Sequence, residues 1–193
     1  MAQPRRVLPA AAAALTLILL AGCTPGDDPD GGITATPEPT ATARPTPEPT
    51  GGTVSTPIGI ECDELVPPDV MYIYSPNVAP IGEYTPAAGS AAESALAYQG
   101  IACRWQNQSS GANIDLSVAN LDEDTLTALK NTAFAESQMV PTYGEEAYFT
   151  VDGGVAVAQV FQGPYWIVAE STMFFEPGDA TELIEAAIAG LGA

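Results

Sequence analysis

The sequence EAYFTVDGGVAVAQVFQGPYWIVAES, residues 146–171, decides the fold. Its apolar, aromatic and β-branched residues fall into three runs, which predict strands over residues 146–151, 155–162 and 165–171. Asp152-Gly153 is a strong hairpin signal, and Gly163-Pro164 provides a second turn. Because strands joined by tight turns are antiparallel, this stretch predicts three neighbouring antiparallel strands.

Two further strands precede this stretch. Ile101, Cys103 and Trp105 alternate with smaller or polar residues, and residues 113–118 alternate in the same way after a polar loop. The two runs predict a hairpin with one apolar face. Its other face carries Arg104, Asn113 and Asp115, and we expect that face to be exposed to water.

Helices are predicted where capping signals precede apolar periodicity. The three capping pairs are Ser90 with Glu93, Asn120 with Glu123, and Asp179 with Glu182. The run from Pro68 to Tyr74 suits a short helix that begins at the proline, or a strand rich in aromatic residues, and the helix is favoured. Residues 75–89 contain three prolines and predict an irregular loop.

These elements predict one α+β domain over residues 58–193, which is close to the commonest domain size. We expect an antiparallel sheet of about five strands, with helices packed mainly on one face.

The N-terminus has the pattern of an export signal. Arg5 and Arg6 precede an apolar run over residues 7–20, which is shorter than the roughly 20 residues that span a bilayer. The run ends in Leu20-Ala21-Gly22-Cys23, which resembles the bacterial lipoprotein lipobox. The resemblance implies a signal peptide over residues 1–22, fatty acyl chains such as palmitate on Cys23, and a protein anchored by lipid to the outer face of the cell membrane.

Residues 23–57 comprise the lipidated cysteine and a tether. The tether is rich in Thr, Pro and Gly, and it repeats Thr-Pro-Glu-Pro-Thr at residues 36–40 and 46–50. Such a composition buries too little apolar surface to offset its ordering entropy. We therefore expect it to be disordered, with polyproline II character.

Composition excludes several classes of function. The chain has 24 acidic and 5 basic residues, and removal of the signal leaves only Arg44, Arg104 and Lys130 as bases. Nucleic acid is therefore excluded as a partner, because phosphate binding requires clustered basic residues. The chain has no histidine, which removes Ser-His-Asp and Cys-His nucleophiles and imidazole metal sites. We expect no enzyme activity, no cofactor and no metal site.

Two cysteines remain for the folded domain, Cys62 and Cys103. In an oxidising compartment an even pair predicts one structural disulfide. The segments Cys62-Asp-Glu-Leu-Val-Pro67 and Gly100-Ile-Ala-Cys-Arg-Trp105 resemble those of small actinobacterial lipoproteins of uncharacterised function. That resemblance implies a disulfide framework and a location in the cell envelope, and it carries over no catalytic residue.

The remaining function classes are binding functions. The chain is predicted to be an extracytoplasmic binding or interaction module of the cell envelope, and the alternative is a small-solute-binding component of a transporter. The partner would be an envelope protein or a small ligand. The candidate surface consists of aromatic residues near turns, for which core packing is the alternative explanation. These residues are Tyr72, Tyr74, Tyr165 and Trp166.

Overall fold

A computed structural model describes residues 54–193 of the chain. The predicted signal peptide, Cys23 and most of the predicted tether lie outside the described residues. The described part has an α+β fold built on one eight-stranded antiparallel sheet, as the sequence predicted for the fold class. None of its helices has the length and hydropathy needed to cross a membrane.

The strands are β1 (Ser55–Thr56), β2 (Val78–Pro80), β3 (Ile101–Asn107), β4 (Asn113–Leu121), β5 (Gln138–Met139), β6 (Glu146–Asp152), β7 (Val155–Gln162) and β8 (Tyr165–Ser171). The helices are α1 (Cys62–Leu65), α2 (Pro68–Tyr74), α3 (Ala91–Ala97), α4 (Glu123–Glu136) and α5 (Thr181–Leu191), with a 3₁₀ turn at Pro177–Ala180 before α5. The strand order is β2-β3-β4-β8-β7-β6-β5, and β1 pairs with β4.

The prediction of about five strands is wrong. The five predicted strands are all present, as β3, β4, β6, β7 and β8, and β1, β2 and β5 bring the sheet to eight. Each added strand has only two or three residues, too few for a period-two pattern to show. β2 lies inside the segment that we expected to be an irregular loop, and β1 lies inside the segment that we assigned to the tether.

Helices cover both faces of the sheet, which corrects the prediction of helices mainly on one face. On the first face, Leu65 of α1, Met71 of α2 and Leu183 of α5 join the core around Leu116 and Ile167. The second face has a smaller core, and its buried members are Ala95, Ala119, Leu121, Leu126, Ala133, Tyr148, Phe161, Trp166 and Val168. Because β7 and β8 present large apolar side chains on both faces, α3 and α4 are needed to cover the second one.

The helix predictions are confirmed in position but only partly in their caps. The run from Pro68 to Tyr74 is a helix, and the Ser90 hydroxyl accepts a hydrogen bond from the Glu93 backbone N–H at 3.1 Å. Asp122, and not Asn120, caps α4 by accepting from the Thr125 N–H at 2.9 Å. The Asp179 carboxylate does not cap α5, which begins at Thr181, but accepts from the backbone N–H groups of Phe175 and Glu176 just before the 3₁₀ turn.

Candidate functional site

The predicted disulfide between Cys62 and Cys103 is present. It joins the start of α1 to the middle of β3, and Cys103 is fully buried in the core of the first sheet face. The bridge therefore fixes the segment before α1 beside the outer edge of β3.

A groove lies where this segment meets β3, and we call it the edge groove. It has a volume of about 560 Å³ and is lined by parts of residues 58–63, 80–83 and 100–105 and by Leu96 of α3. This volume falls within the roughly 300–1,000 Å³ of ligand sites. Three separate stretches of the chain must come together to form it.

The outer edge of β3, on the side away from β4, is unpaired at one residue inside the groove. The Ile81 N–H donates to the Arg104 carbonyl at 2.9 Å, so the backbone groups of Arg104 point away from β4 and towards the outer edge. Because this direction alternates along a strand, the backbone groups of Ala102 point to the same edge. On the N-terminal side of Ala102, the Gln99 carbonyl accepts a hydrogen bond from the Ile58 N–H at 3.0 Å. Ala102 therefore lies in a gap between two covered positions, with no backbone partner on that edge among the described residues.

The charged side chains of the groove leave its rim acidic. Glu61, Asp63 and Glu83 line the groove and are exposed. Arg104 also lines it, but its guanidinium donates to both carboxylate oxygens of Asp115, each at 2.6 Å. The charge of Arg104, the only basic residue that lines the groove, is thus neutralised by Asp115.

A second cavity of about 480 Å³ adjoins the edge groove and shares Gly82, Glu83, Leu96 and Ala102 with it. Tyr84 lines this second cavity, and its ring centroid lies 4.1 Å from the Arg104 guanidinium carbon. The Tyr84 hydroxyl is buried and has no hydrogen-bond partner among the described residues. Burial, followed by the charge of Asp115, raises the pKa of Tyr84 to about 12, so the phenol stays protonated at neutral pH.

A row of charged residues crosses the sheet beneath Tyr84. Arg104 of β3, Asp115 of β4 and Glu170 of β8 are successive cross-strand neighbours. Their sheet face was expected to be exposed to water, yet the side chains of Arg104 and Asp115 retain only 24% and 19% exposure. The Tyr84 ring stacked on Arg104 accounts for part of that cover.

The four predicted aromatic residues do not form one surface. Tyr72 on α2 is 67% exposed, whereas the Tyr74 hydroxyl donates to a backbone carbonyl of the 3₁₀ turn at 3.0 Å. Tyr165 packs partly against the first sheet face. Trp166 lies on the second face, is 5% exposed, and donates its indole N–H to the Gln159 side chain at 3.2 Å. Only Tyr72 among them is largely exposed.

The sequence analysis did not find the edge groove. Its apolar residues Ile58 and Ile60 stand just before Cys62, at the start of the predicted domain, a signal that could have suggested a packed segment there. The contact of that segment with β3 could not be read from either stretch alone.

The groove offers apolar side chains, carboxylates and free backbone groups, which are the means of binding a ligand. Among residues 54–193, no group of three or more His, Cys, Asp or Glu side chains is arranged to hold a metal ion. No protein-family model matches the chain, and no curated protein and no solved structure matches it either.

Proposed function

We propose that the chain is a lipid-anchored, extracytoplasmic binding module of the cell envelope and that the edge groove is its binding site. The observation that carries the proposal is the groove itself, about 560 Å³ of partly apolar space beside an unpaired stretch of strand edge. Unpaired edges are usually covered or blunted in proteins. Here the edge of β3 is covered on either side of Ala102, by Ile58 and by Ile81, and the backbone of Ala102 itself has no partner on that edge among the described residues.

The surroundings of the groove favour a preformed site. One wall is held by the Cys62–Cys103 disulfide and the other by the short pairing of β2 with β3. Arg104 at the floor is fixed by two hydrogen bonds to Asp115. A wall that is already ordered loses little conformational entropy on binding.

The localisation in this proposal is inferred from the N-terminal sequence. The lipobox at residues 20–23 supports lipid attachment at Cys23, in the manner of actinobacterial lipoproteins, and an acidic chain would not bind anionic headgroups by itself. The Thr/Pro-rich tether would let the domain reach envelope partners away from the membrane surface.

A second candidate is a small-solute-binding component associated with a transporter. The observation that favours it is the closure of the gap by Ile58 on one side and Ile81 on the other, which suits a short ligand better than a long chain.

Cross-linking in cells would test the proposal. A photo-reactive residue at the exposed position Glu83 would capture whatever occupies the groove, and purified protein would be screened for ligands by tryptophan fluorescence and melting temperature. Gly82→Trp is designed to fill the groove, because Gly82 lines it and an added Cβ atom there meets no atom within 4 Å. Asn131→Trp, on the exposed side of α4, is the matched control.

The proposal expects a partner or ligand that is lost in Gly82→Trp and retained in Asn131→Trp. A captured protein without a ligand favours the interaction module, and a ligand without a protein favours the solute-binding component. Binding that survives Gly82→Trp unchanged, or turnover of any substrate, overturns the proposal.

A further inference from the structure

The edge groove combines apolar walls with an acidic rim. Leu96 is 45% exposed beside it, and Ile58 and Ile60 line it while remaining only partly buried. The exposed carboxylates of the rim belong to Glu61, Asp63 and Glu83.

The rest of the domain supplies no cation to neutralise this rim. The described residues contain two basic side chains, Arg104 and Lys130. Arg104 is held by Asp115, and the Lys130 ammonium lies 3.0 Å from the Glu146 carboxylate. A fixed positive charge at the rim would therefore have to come from a bound ligand.

The geometry also limits the size and shape of the occupant. The gap at Ala102 is closed at one end by the Ile58 hydrogen bond and at the other by the Ile81 hydrogen bond. A compact molecule fits between them, and its polar groups can reach the N–H of Ala102 and its carbonyl, which has no backbone partner and lies 4.0 Å from the Cys62 Sγ.

We infer that the edge groove selects small organic cations that carry an apolar body, with the cation at the acidic rim and the apolar body against Leu96 and Ile60. This inference rests on the proposed function and names the ligand class of the same site. Charge complementarity selects the cation, and desolvation of the apolar walls contributes most of the affinity.

Three probes with one apolar body test the inference. They are 4-phenylbutylamine, 4-phenylbutan-1-ol and 4-phenylbutyrate, which carry a positive charge, no charge and a negative charge. Each would be titrated at low salt into the mature chain carrying Cys23→Ser, which lacks the lipid and retains every described residue. Two-dimensional ¹⁵N–¹H spectra report binding at the groove through the amide of Ala102.

The amine is expected to bind about fivefold or more tightly than the alcohol, and the carboxylate more weakly than either. Raising the salt to about 0.5 M should shrink the difference between amine and alcohol, because exposed charges are then screened over a few ångströms.

Variants assign the preference to the rim. Asp63→Asn with Glu83→Gln removes two rim charges and leaves Glu61, the N-cap residue of α1, in place. Asp152→Asn with Glu185→Gln removes two exposed charges that do not line the groove. The rim pair should lower the affinity for the amine about fivefold and leave the alcohol unchanged, whereas the control pair should change neither by as much as twofold.

The two proposals can fail separately. If the three probes bind equally, or if none perturbs Ala102 at about 10 mM, the inferred ligand class is overturned. The proposed function still stands if the cross-linked partner or a library ligand is lost in Gly82→Trp. If the short basic peptide acetyl-Leu-Lys-Leu-amide binds the groove more than tenfold tighter than the amine, a protein segment is the occupant and the inference also fails.

Discussion

Asp115 of β4 and Glu170 of β8 lie directly opposite each other in the sheet, on the face that carries Arg104. Arg104 binds both oxygens of Asp115, and no hydrogen bond joins it to Glu170 within the described residues. Burial, and then the charge of Asp115, raise the pKa of Glu170. Asp115 therefore has a hydrogen-bonded cationic partner, whereas the neighbouring Glu170 has no hydrogen bond to Arg104.

Glu170→Gln is expected to stabilise the protein at neutral pH. A raised folded-state pKa means that ionised Glu170 opposes folding, and this cost vanishes as the pH falls through the raised pKa to the unfolded value near 4.3. A like-charge cross-strand pair costs up to about 1 kcal/mol, so the free energy of unfolding at pH 7 should rise by that order. Denaturant melts at pH 7 and below pH 4 measure it.

Asp152→Asn, at the exposed end of β6, controls for the general loss of negative charge. A gain for Glu170→Gln that is the same at both pH values, or is matched by the control, would contradict this explanation.

The two ion pairs of the domain should differ in strength. Arg104 and Asp115 are partly buried and joined by two hydrogen bonds, whereas Lys130 and Glu146 are about one third exposed and joined at 3.0 Å. We expect Arg104→Ala to cost about 1.5–3 kcal/mol, and Lys130→Ala less than about 1 kcal/mol. Urea melts of both variants at pH 7 give the comparison, and equal losses would refute it.

Loss of the disulfide should destabilise the domain strongly. The bridge closes a loop with a sequence separation of 41, and for a loop of that length the entropy model gives roughly 4 kcal/mol. Cys62→Ser with Cys103→Ser should therefore lower the midpoint of denaturant unfolding to that of the reduced parent protein. Peptide mapping without reductant checks the pairing, and free thiols in freshly purified protein would contradict it.

Gly100→Ala should destabilise the junction between α3 and β3. A Cβ atom at Gly100 would lie 2.1 Å from the Val118 carbonyl oxygen and 2.8 Å from that of Ala95, both of them backbone atoms. Overpacking of this kind costs about 1–3 kcal/mol. Gly59→Ala meets no atom within 4 Å and is the matched control. Thermal melts that coincide for the two variants would contradict this close backbone approach at Gly100.

The resemblance of residues 20–23 to a lipobox predicts that Cys23→Ser abolishes lipid attachment, because only a thiol can form the thioether. Metabolic labelling with a fatty acid should mark the parent protein and not the variant, which should be released from the membrane or remain unprocessed. Label retained on the serine variant would exclude Cys23 as the site of lipidation.

The long strands could be predicted because each carries a signal seven or more residues long: alternation in β3 and β4, and apolar, aromatic and β-branched runs bounded by turns in β6, β7 and β8. β1, β2 and β5 could not, because strands of two or three residues exist only where another strand is already placed beside them. Pro80 ends β2 and cannot donate to a ladder, which is typical of an edge position. Local pattern therefore identified the centre of the sheet and missed its margins.

The second layer of helices was readable but was missed. Trp166, Ile167 and Val168 are consecutive apolar residues, and such a run is typical of a strand buried on both faces. Arg104 suggested that its whole sheet face is exposed to water. It belongs to a single row of charged residues with Asp115 and Glu170, and the same face also carries buried apolar side chains. The edge groove depends on three distant segments and has no local signature in the sequence.

The position of the disulfide also determines how the domain would respond to mechanical force applied at its N-terminal end. A pull at Val54 would first strip the two-residue strand β1 from β4 and then break the hydrogen bond between Ile58 and Gln99. Extension would stop at Cys62, because its covalent link to Cys103 passes the force directly into β3. The segment between Val54 and Cys62 would therefore extend first, and the residues between Cys62 and Cys103 would carry no load while the bridge is intact.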